Sequence, residues 1–366
     1  MTVLSFVPLS IPSPPDSWST LATIPFGQWL SGLGVNPNQA IVIHTYAICI
    51  MIGIIAATWL TSRRLTSRGA EPGIVLDIII WAVPLGLVGA RFYHVFTHPG
   101  DYFFEGADPW EVIRIWNGGN AIFGSLIGGA VGAYIGARMT GIRFWSFADA
   151  LAPGMLVAQA IGRLGNYFNH ELFGQPTDLP WGLEIEAGNS AIPVGLPVDT
   201  LFHPTFLYEM VWNVVGIVFL LTMERQYGFV KKHVLGLTVP MFTATGSIRL
   251  QWGKVWALYM IWYGIGRTWF ESIRIDPSEV YFGLRVNVWG AIFTVALGVI
   301  LFIVQSRRHV GVERSAYVDG HRWTADGVVN SEVTYSEHDI VVNTAEEPAP
   351  VTAPKQSATS GHTPQA

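Results

Sequence analysis

Residues 287–305 read NVWGAIFTVALGVILFIVQ, nineteen consecutive positions without a charged side chain. A helix needs about 20 apolar residues to cross the hydrocarbon core of a bilayer, so this stretch reads as a membrane span. Toward the N-terminus, further runs of the same kind fall at 41–60, 74–96, 119–137, 147–165, 206–223 and 252–272. Together they predict an all-α, polytopic integral membrane protein with about seven transmembrane helices. Composition agrees: 50% of the 366 residues are hydrophobic and 13% charged, whereas a soluble domain carries about a quarter charged residues. The stretch 234–250 is apolar in its middle but short and bounded by charge, which predicts a re-entrant segment or loop.

Lys and Arg are enriched in cytoplasmic loops close to membrane ends. Arg63, Arg64 and Arg68 follow the first run, Arg138 and Arg143 the third, Arg225, Lys231 and Lys232 the fifth, and Arg307 and Arg308 the seventh. The opposite loops hold few: Arg114, then none over 166–205, then Arg274 and Arg285. This alternation predicts an N-terminus outside and a C-terminus inside. Residues 1–40 then read as an extracytoplasmic segment and 41–305 as the membrane domain. Residues 306–366, rich in Ser, Thr, Glu and Pro, lack the apolar content to offset folding entropy and read as a disordered cytoplasmic tail. Cys49 is the only cysteine, so no intramolecular disulfide forms. The net charge of −5 and the lack of a basic surface argue against a nucleic-acid partner. Neither a zinc-protease His-Glu-x-x-His pair nor a Walker phosphate loop is present, and no metal or cofactor is expected.

Ionisable groups inside a bilayer are costly and therefore point to function. Those within the runs are Asp77, Arg91, Asp149, Arg163, Glu209, Lys254, Arg267 and Glu271. Asp77 and Asp149 lie near the inner ends and read as capping or snorkelling residues. At the outer end of the fourth run, residues 161–174 read IGRLGNYFNHELFG, placing Arg163, Asn166, Asn169, His170 and Glu171 in one polar stretch. Tyr263, Arg267 and Glu271 share one stripe of the sixth run by their i, i+4, i+8 spacing. The predicted topology puts Arg163 and Arg267 on the same outer side, where both reach one anionic head group. A polar helix end and a structural salt bridge fit the same two patterns. His44-Thr45-Tyr46 and the glycine run Gly118-Gly119 after Trp116-Asn117 form a third group, with interfacial anchoring and helix packing as alternatives. Arg91, inside the second run near its outer half, is a further candidate, with snorkelling as the alternative.

The stretch from Gly162 to Gly174 resembles the prolipoprotein diacylglyceryl transferase signature Gly-Arg-x-Gly-Asn-x-x-Asn-x-Glu-x-x-Gly without a mismatch. Further similarity falls in order at His44-x-Tyr46, at Trp116-x-Gly118-Gly119, at His203-Pro204 with Tyr208-Glu209, and at Tyr263, Arg267 and Glu271. The resemblance covers roughly 40–305. It implies a bacterial inner-membrane enzyme that moves the diacylglyceryl group of phosphatidylglycerol, a membrane lipid, to the lipobox cysteine thiol of prolipoprotein signal peptides. A thioether forms and glycerol 1-phosphate leaves. Carried onto this chain, Arg163 and Arg267 hold the lipid phosphate and Glu271 orients Arg267. Tyr46, Tyr263, Asn166, Asn169, Glu171, Gly174, Gly118 and Gly119 shape the site. One position departs from the pattern: Phe123 stands where relatives often carry a histidine suited to act as base. The arginine field is then expected to supply the thiolate, with His170 and His203 as the histidine substitutes. A non-catalytic binder or transporter of anionic lipid remains the alternative reading.

Overall fold

Each apolar run folds for most of its length as a helix, because a backbone in hydrocarbon has only its own N–H and C=O groups to bond. The computed structural model describes residues 10–29, 38, 40–115, 118–234, 237–248, 250–276, 278–309, 311, 313–321, 323–324 and 327–328. After a short helix α1 (Phe26–Trp29) come α2 (Thr45–Thr66), α3 (Ile74–Thr97), α4 (Ile122–Thr140), α5 (Phe144–Phe168), α6 (Thr205–Glu224), α7 (Lys254–Ile273) and α8 (Val286–Arg308). Among the described residues, six of these, α2 to α6 and α8, are long and apolar enough to cross a membrane by length and composition. Helix α7 carries Lys254, Arg267 and Glu271, and these charges lower its hydropathy. The chain is a multi-pass membrane protein.

Three boundaries differ from the sequence reading. The first run opens as a strand: β1 (Thr20–Ile24) pairs antiparallel with β2 (Ile41–His44), where Ile41, Val42 and Ile43 favour extended backbone. Helix α5 runs three residues beyond 165, so Asn166 is helical and faces the same way as Arg163 one turn earlier. The stretch read as re-entrant or loop belongs to a hairpin, β3 (Arg225–Val234) with β4 (Leu237–Ile248), whose Val, Thr and Phe content suits strands. A second, shorter hairpin joins β5 (Val280–Tyr281) and β6 (Leu284–Arg285) just before α8.

Helices pack mainly as neighbours α3–α4, α2–α5 and α7–α8, and α5, the most buried of the six apolar helices, also contacts α6 and α7. Small residues make these contacts close, as expected where lipid removes the hydrophobic drive between helices. Gly124, Gly128, Gly132 and Gly136 recur every fourth residue on α4, and a Cβ on any of them would collide with the α3 backbone. Gly264 and Gly298 do the same between α7 and α8, and Gly53 and Gly154 leave a Cβ only 3.0 Å from facing backbone between α2 and α5.

The end of the bundle remote from the 162–174 signature is closed by buried ions. Arg64 and Arg68 both pair with Glu224, the former at 2.7 Å. Asp149 accepts from the Gly253 and Trp256 amides at 2.8 and 2.9 Å, so it caps α7 from α5, in line with its expected role. Residues 313–321 dock here too, although composition placed them in a disordered tail. Arg143 bonds the Ala316 carbonyl through its amide (2.8 Å) and the Tyr317 carbonyl through Nε (2.6 Å), and the Glu71 amide donates to the Tyr317 hydroxyl (3.0 Å). Tyr317 and Ala316 fill a core with Leu65, Ile74, Ile78, Ile142 and Phe147. Two well-placed apolar side chains suffice to anchor a segment whose average composition is polar. Tyr317→Ala is therefore expected to cost about 3 kcal/mol, the scale of a buried aromatic truncation. Thermal unfolding in detergent measures it, and an unshifted midpoint would mean the strap is decoration.

Candidate active site

The signature occupies the end of α5 and the turn that follows. Its backbone doubles back at once: the Glu171 amide bonds the Asn166 carbonyl at 3.1 Å, and His170 and Leu172 both have positive φ. Glu171 is thereby brought beneath the helix. Arg163 Nη1 donates to Asn166 Oδ1 at 3.0 Å, and Asn166 Nδ2 donates to Glu171 Oε1 at 2.8 Å. The other fork of Arg163 meets Glu209 of α6, Nη2 to Oε2, at 2.6 Å. Gly165 lies against the ring of Tyr46, and any side chain there would displace the tyrosine. Gly174 sits where two other segments converge: its amide bonds the His203 carbonyl at 2.9 Å and the next amide bonds the Ile273 carbonyl at 2.8 Å. The signature is thus tied at one end of the bundle to the starts of α2 and α6 and to the end of α7. Asn169 is exposed beside it.

Glu271 is the hub of the second group. It is fully buried, 2.9 Å from Arg267, 3.2 Å from Arg285 and 3.6 Å from Arg274, and it accepts from Asn287 Nδ2 at 2.9 Å. Arg274 and Arg285 both also pair with Asp276, Arg274 through two nitrogens at 2.7 and 2.9 Å. Burial works against the charge on Arg274, but Asp276, Glu271 and Glu209 outweigh it and hold its pKa above the ordinary value. Through Glu209 the two groups share one electrostatic field. Arg267, its side chain 17% exposed, has Glu271 as its ion-pair partner among the described residues. Tyr263, one turn earlier, stacks on Tyr259 at 6.0 Å.

The sequence reading missed Glu209 as a partner of Arg163, and with it Arg274, Asp276, Arg285 and Asn287. In the sequence Glu209 stands out as an intramembrane acid, whereas Arg274 and Arg285 mark only topology. Arg91, the further candidate, clamps a loop. It donates to the carbonyls of Val112 (2.8 Å) and Gly119 (3.0 Å), also bonds those of Glu111 and Gly118, and lies 4.8 Å over the Tyr102 ring. Gly118 and Gly119 adopt positive φ to present those carbonyls, and no Cβ fits at Gly119 between Tyr102, His94 and Arg91. Trp116 and Asn117 lie outside the described residues. Phe123 packs on Tyr93 and near Gly290 at the start of α8. The two histidines offered as substitutes are both engaged: His170 with Glu186 at 2.7 Å, and His203 with the Tyr208 hydroxyl at 3.1 Å.

The site is thus two acid-paired arginine groups at one end of an apolar multi-pass bundle. The sequence model of the family described as prolipoprotein diacylglyceryl transferase matches residues 37–304. A phosphatidylglycerol–prolipoprotein diacylglyceryl transferase of Leifsonia xyli is 51% identical, covering 96% of this chain and 98% of that protein. Similar enzymes of Streptomyces coelicolor and Paenarthrobacter aurescens are 41% and 42% identical over 78% and 81% of this chain, and 83% and 89% of their own. The chain belongs to the prolipoprotein diacylglyceryl transferase family.

Proposed function

We propose that this protein transfers the diacylglyceryl group of phosphatidylglycerol to the lipobox cysteine of prolipoproteins, with Arg163 and Arg267 as the groups that meet the lipid phosphate. The carrying observation is the pair of preorganised guanidiniums at one end of the bundle, each fixed by a buried acid. The thiolate sulfur forms a bond to the diacylglyceryl carbon as that carbon's bond to the phosphate oxygen breaks. A phosphodiester with one negative charge becomes glycerol 1-phosphate with two, while the thiolate loses its own. Arginines placed at that phosphate bind the transition state more tightly than the lipid, which is what raises turnover. Tyr46, Tyr263, Asn166, Asn169, Glu171 and Gly174 shape the site around them, and Gly118 and Gly119 act through the loop that Arg91 clamps. A free thiol has a pKa near about 8.5, lowered by nearby cations, so the arginine field supplies the nucleophile with Phe123 at the position of a base. The assay is conversion of a lipobox cysteine peptide to a thioether in phosphatidylglycerol vesicles. A protein that binds the vesicles and leaves the peptide unchanged is the binder or transporter instead.

In this reading α7 also crosses, as the sixth of seven spans in chain order, its charges sheltered by α5, α6 and α8. The enzyme lies in the bacterial inner membrane with the N-terminus and the site outside and the C-terminus inside. Residues 41–305 make the catalytic domain, and the chain beyond the docked strap makes the tail. Arg63, Arg138, Arg307 and Arg308 are exposed at the end remote from the site, which supports this orientation. A membrane-impermeant thiol reagent is expected to label Val194→Cys from outside and to spare Ser306→Cys. Labelling in the reverse sense would invert the topology.

A further inference from the structure

Two signature residues, His170 and Leu172, hold a left-handed conformation, and His170 is the one of them that carries an ionisable side chain. Its φ is +52°, a left-handed value that only glycine adopts without cost and that Asn, Asp and His tolerate better than other residues. The side chain is buried, and Nδ1 lies 2.7 Å from Glu186 Oε1, 16 residues further along the chain. Asn189 Nδ2 bonds the His170 carbonyl at 3.0 Å, and Ser13 of the N-terminal segment bonds the far oxygen of Glu186 at 2.9 Å. Among the described residues Asp16, exposed, is the other charged group paired with the ring, at 3.5 Å.

We propose that His170, held by Glu186, is a positioning residue that sets Arg163 through Glu171 and Asn166. The path is continuous. The peptide that leaves His170 carries the Glu171 amide onto the Asn166 carbonyl, Glu171 Oε1 then receives Asn166 Nδ2, and Asn166 Oδ1 receives Arg163 Nη1. Releasing His170 lets the left-handed turn relax, and Glu171 leaves its place beneath the helix. This deepens the transferase reading and rests on it for the catalytic consequence, but not for the structural one.

A direct bond fits better than a bridging cation, although the donor atoms of Asp16, His170 and Glu186 lie within 4.8 Å of one another. Among the described residues Nε2 of His170 is buried without a hydrogen-bond partner, and a buried orphan acceptor costs less than a buried orphan N–H. The proton therefore belongs on Nδ1, donated to Glu186, and leaves no lone pair there for a metal. Burial raises the Glu186 carboxyl pKa, but its own backbone amide, His170 and Ser13 outweigh that and hold it below the usual value. A depressed carboxyl contributes stability that is present above its unfolded pKa and lost only as pH falls through the lowered folded value. The latch is accordingly closed at neutral pH.

The conformation separates the bond from the backbone. His170→Gly permits the left-handed turn without strain but deletes the bond that holds it there, so the turn is free to leave that conformation. His170→Asn tolerates the turn and keeps the bond, since the Asn amide reaches the position of Nδ1. The glycine variant is expected to lose roughly ten- to hundredfold in kcat, the scale of a misplaced catalytic group, with KM nearly unchanged. Its amides over 169–175 should exchange faster by hydrogen–deuterium exchange, a reading that holds whether or not the protein is a transferase. The asparagine variant should stay near wild type on both counts. Glu186→Ala cuts the same bond from the other side and serves if a His170 variant fails to insert. Wild-type kcat or unchanged exchange in His170→Gly, or an asparagine variant as impaired as the glycine one, overturns the proposal. So does wild-type protein that acquires the glycine phenotype on chelation with EDTA, because a cation is then the tie.

Discussion

Arg267→Ala is expected to lower transfer by about a hundredfold or more, the loss that follows removal of one preorganised donor aimed at developing charge. The structure makes this the cleaner of the two arginine tests. Glu271 keeps Arg285 and Arg274 when Arg267 is gone, so the deletion removes a charge at the site and leaves the buried acid paired. Arg163→Ala should cost as much in turnover, but it also strands Glu209, 5% exposed, whose ion-pair partner among the described residues is Arg163. The double change Arg163→Ala with Glu209→Gln separates these effects: protein yield should recover and turnover should not. Lysine should rescue neither position well. Arg163 reaches Asn166 with one nitrogen and Glu209 with another, a planar fork that an ammonium point charge does not reproduce. Turnover within roughly threefold of wild type in a correctly inserted Arg267→Ala variant, far short of a lost donor, would make Arg267 structural. The measurements are single-turnover thioether formation in phosphatidylglycerol vesicles and detergent thermal stability on the same preparations.

Much of this site was legible because its chemistry is written in contiguous or helically spaced residues. Arg163, Asn166 and Glu171 fall within nine positions, and Arg267 and Glu271 are one helical turn apart, so periodicity alone brings each group together. Arg285 is different. It lies 14 residues beyond Glu271 and returns to it only because the β5–β6 hairpin reverses the chain. Arg64 and Arg68 carry the positive charge that marks a cytoplasmic exit, yet both turn inward to Glu224, which is 156 residues beyond Arg68. Charge counting records that such residues are present and is blind to whether water or an acid receives them. The docking of 313–321 was hidden for a related reason. Average composition measures how much apolar surface a segment has, whereas Ala316 and Tyr317 anchor theirs by finding a cleft already formed by α2, α3 and α5.

The largest structural effect is expected at Glu271. Its carboxylate is the common partner of Arg267, Arg274 and Arg285, and it also accepts from Asn287 of α8. Three guanidiniums packed together repel one another, and Asp276, itself near 20% exposed, offsets only two of them. Breaking a buried ion pair by removing one partner costs about 3–5 kcal/mol, because the remaining charge stays desolvated and alone. That is a large fraction of the ~5–15 kcal/mol that holds a typical domain together. Glu271→Ala should therefore accumulate poorly in the membrane and unfold at a much lower temperature than wild type. Glu271→Gln keeps the volume and an acceptor for Asn287 and Arg285 while removing the charge, so it should insert, with a smaller drop in midpoint. Its transfer rate should nevertheless fall with that of Arg267→Ala, since Arg267 is then no longer held against an anion. Combining Glu271→Gln with Arg267→Ala should add little to either single loss, as expected for residues acting as one unit. Full additivity in that cycle would mean that Glu271 does not act through Arg267, and a wild-type midpoint for Glu271→Ala would remove it as the hub.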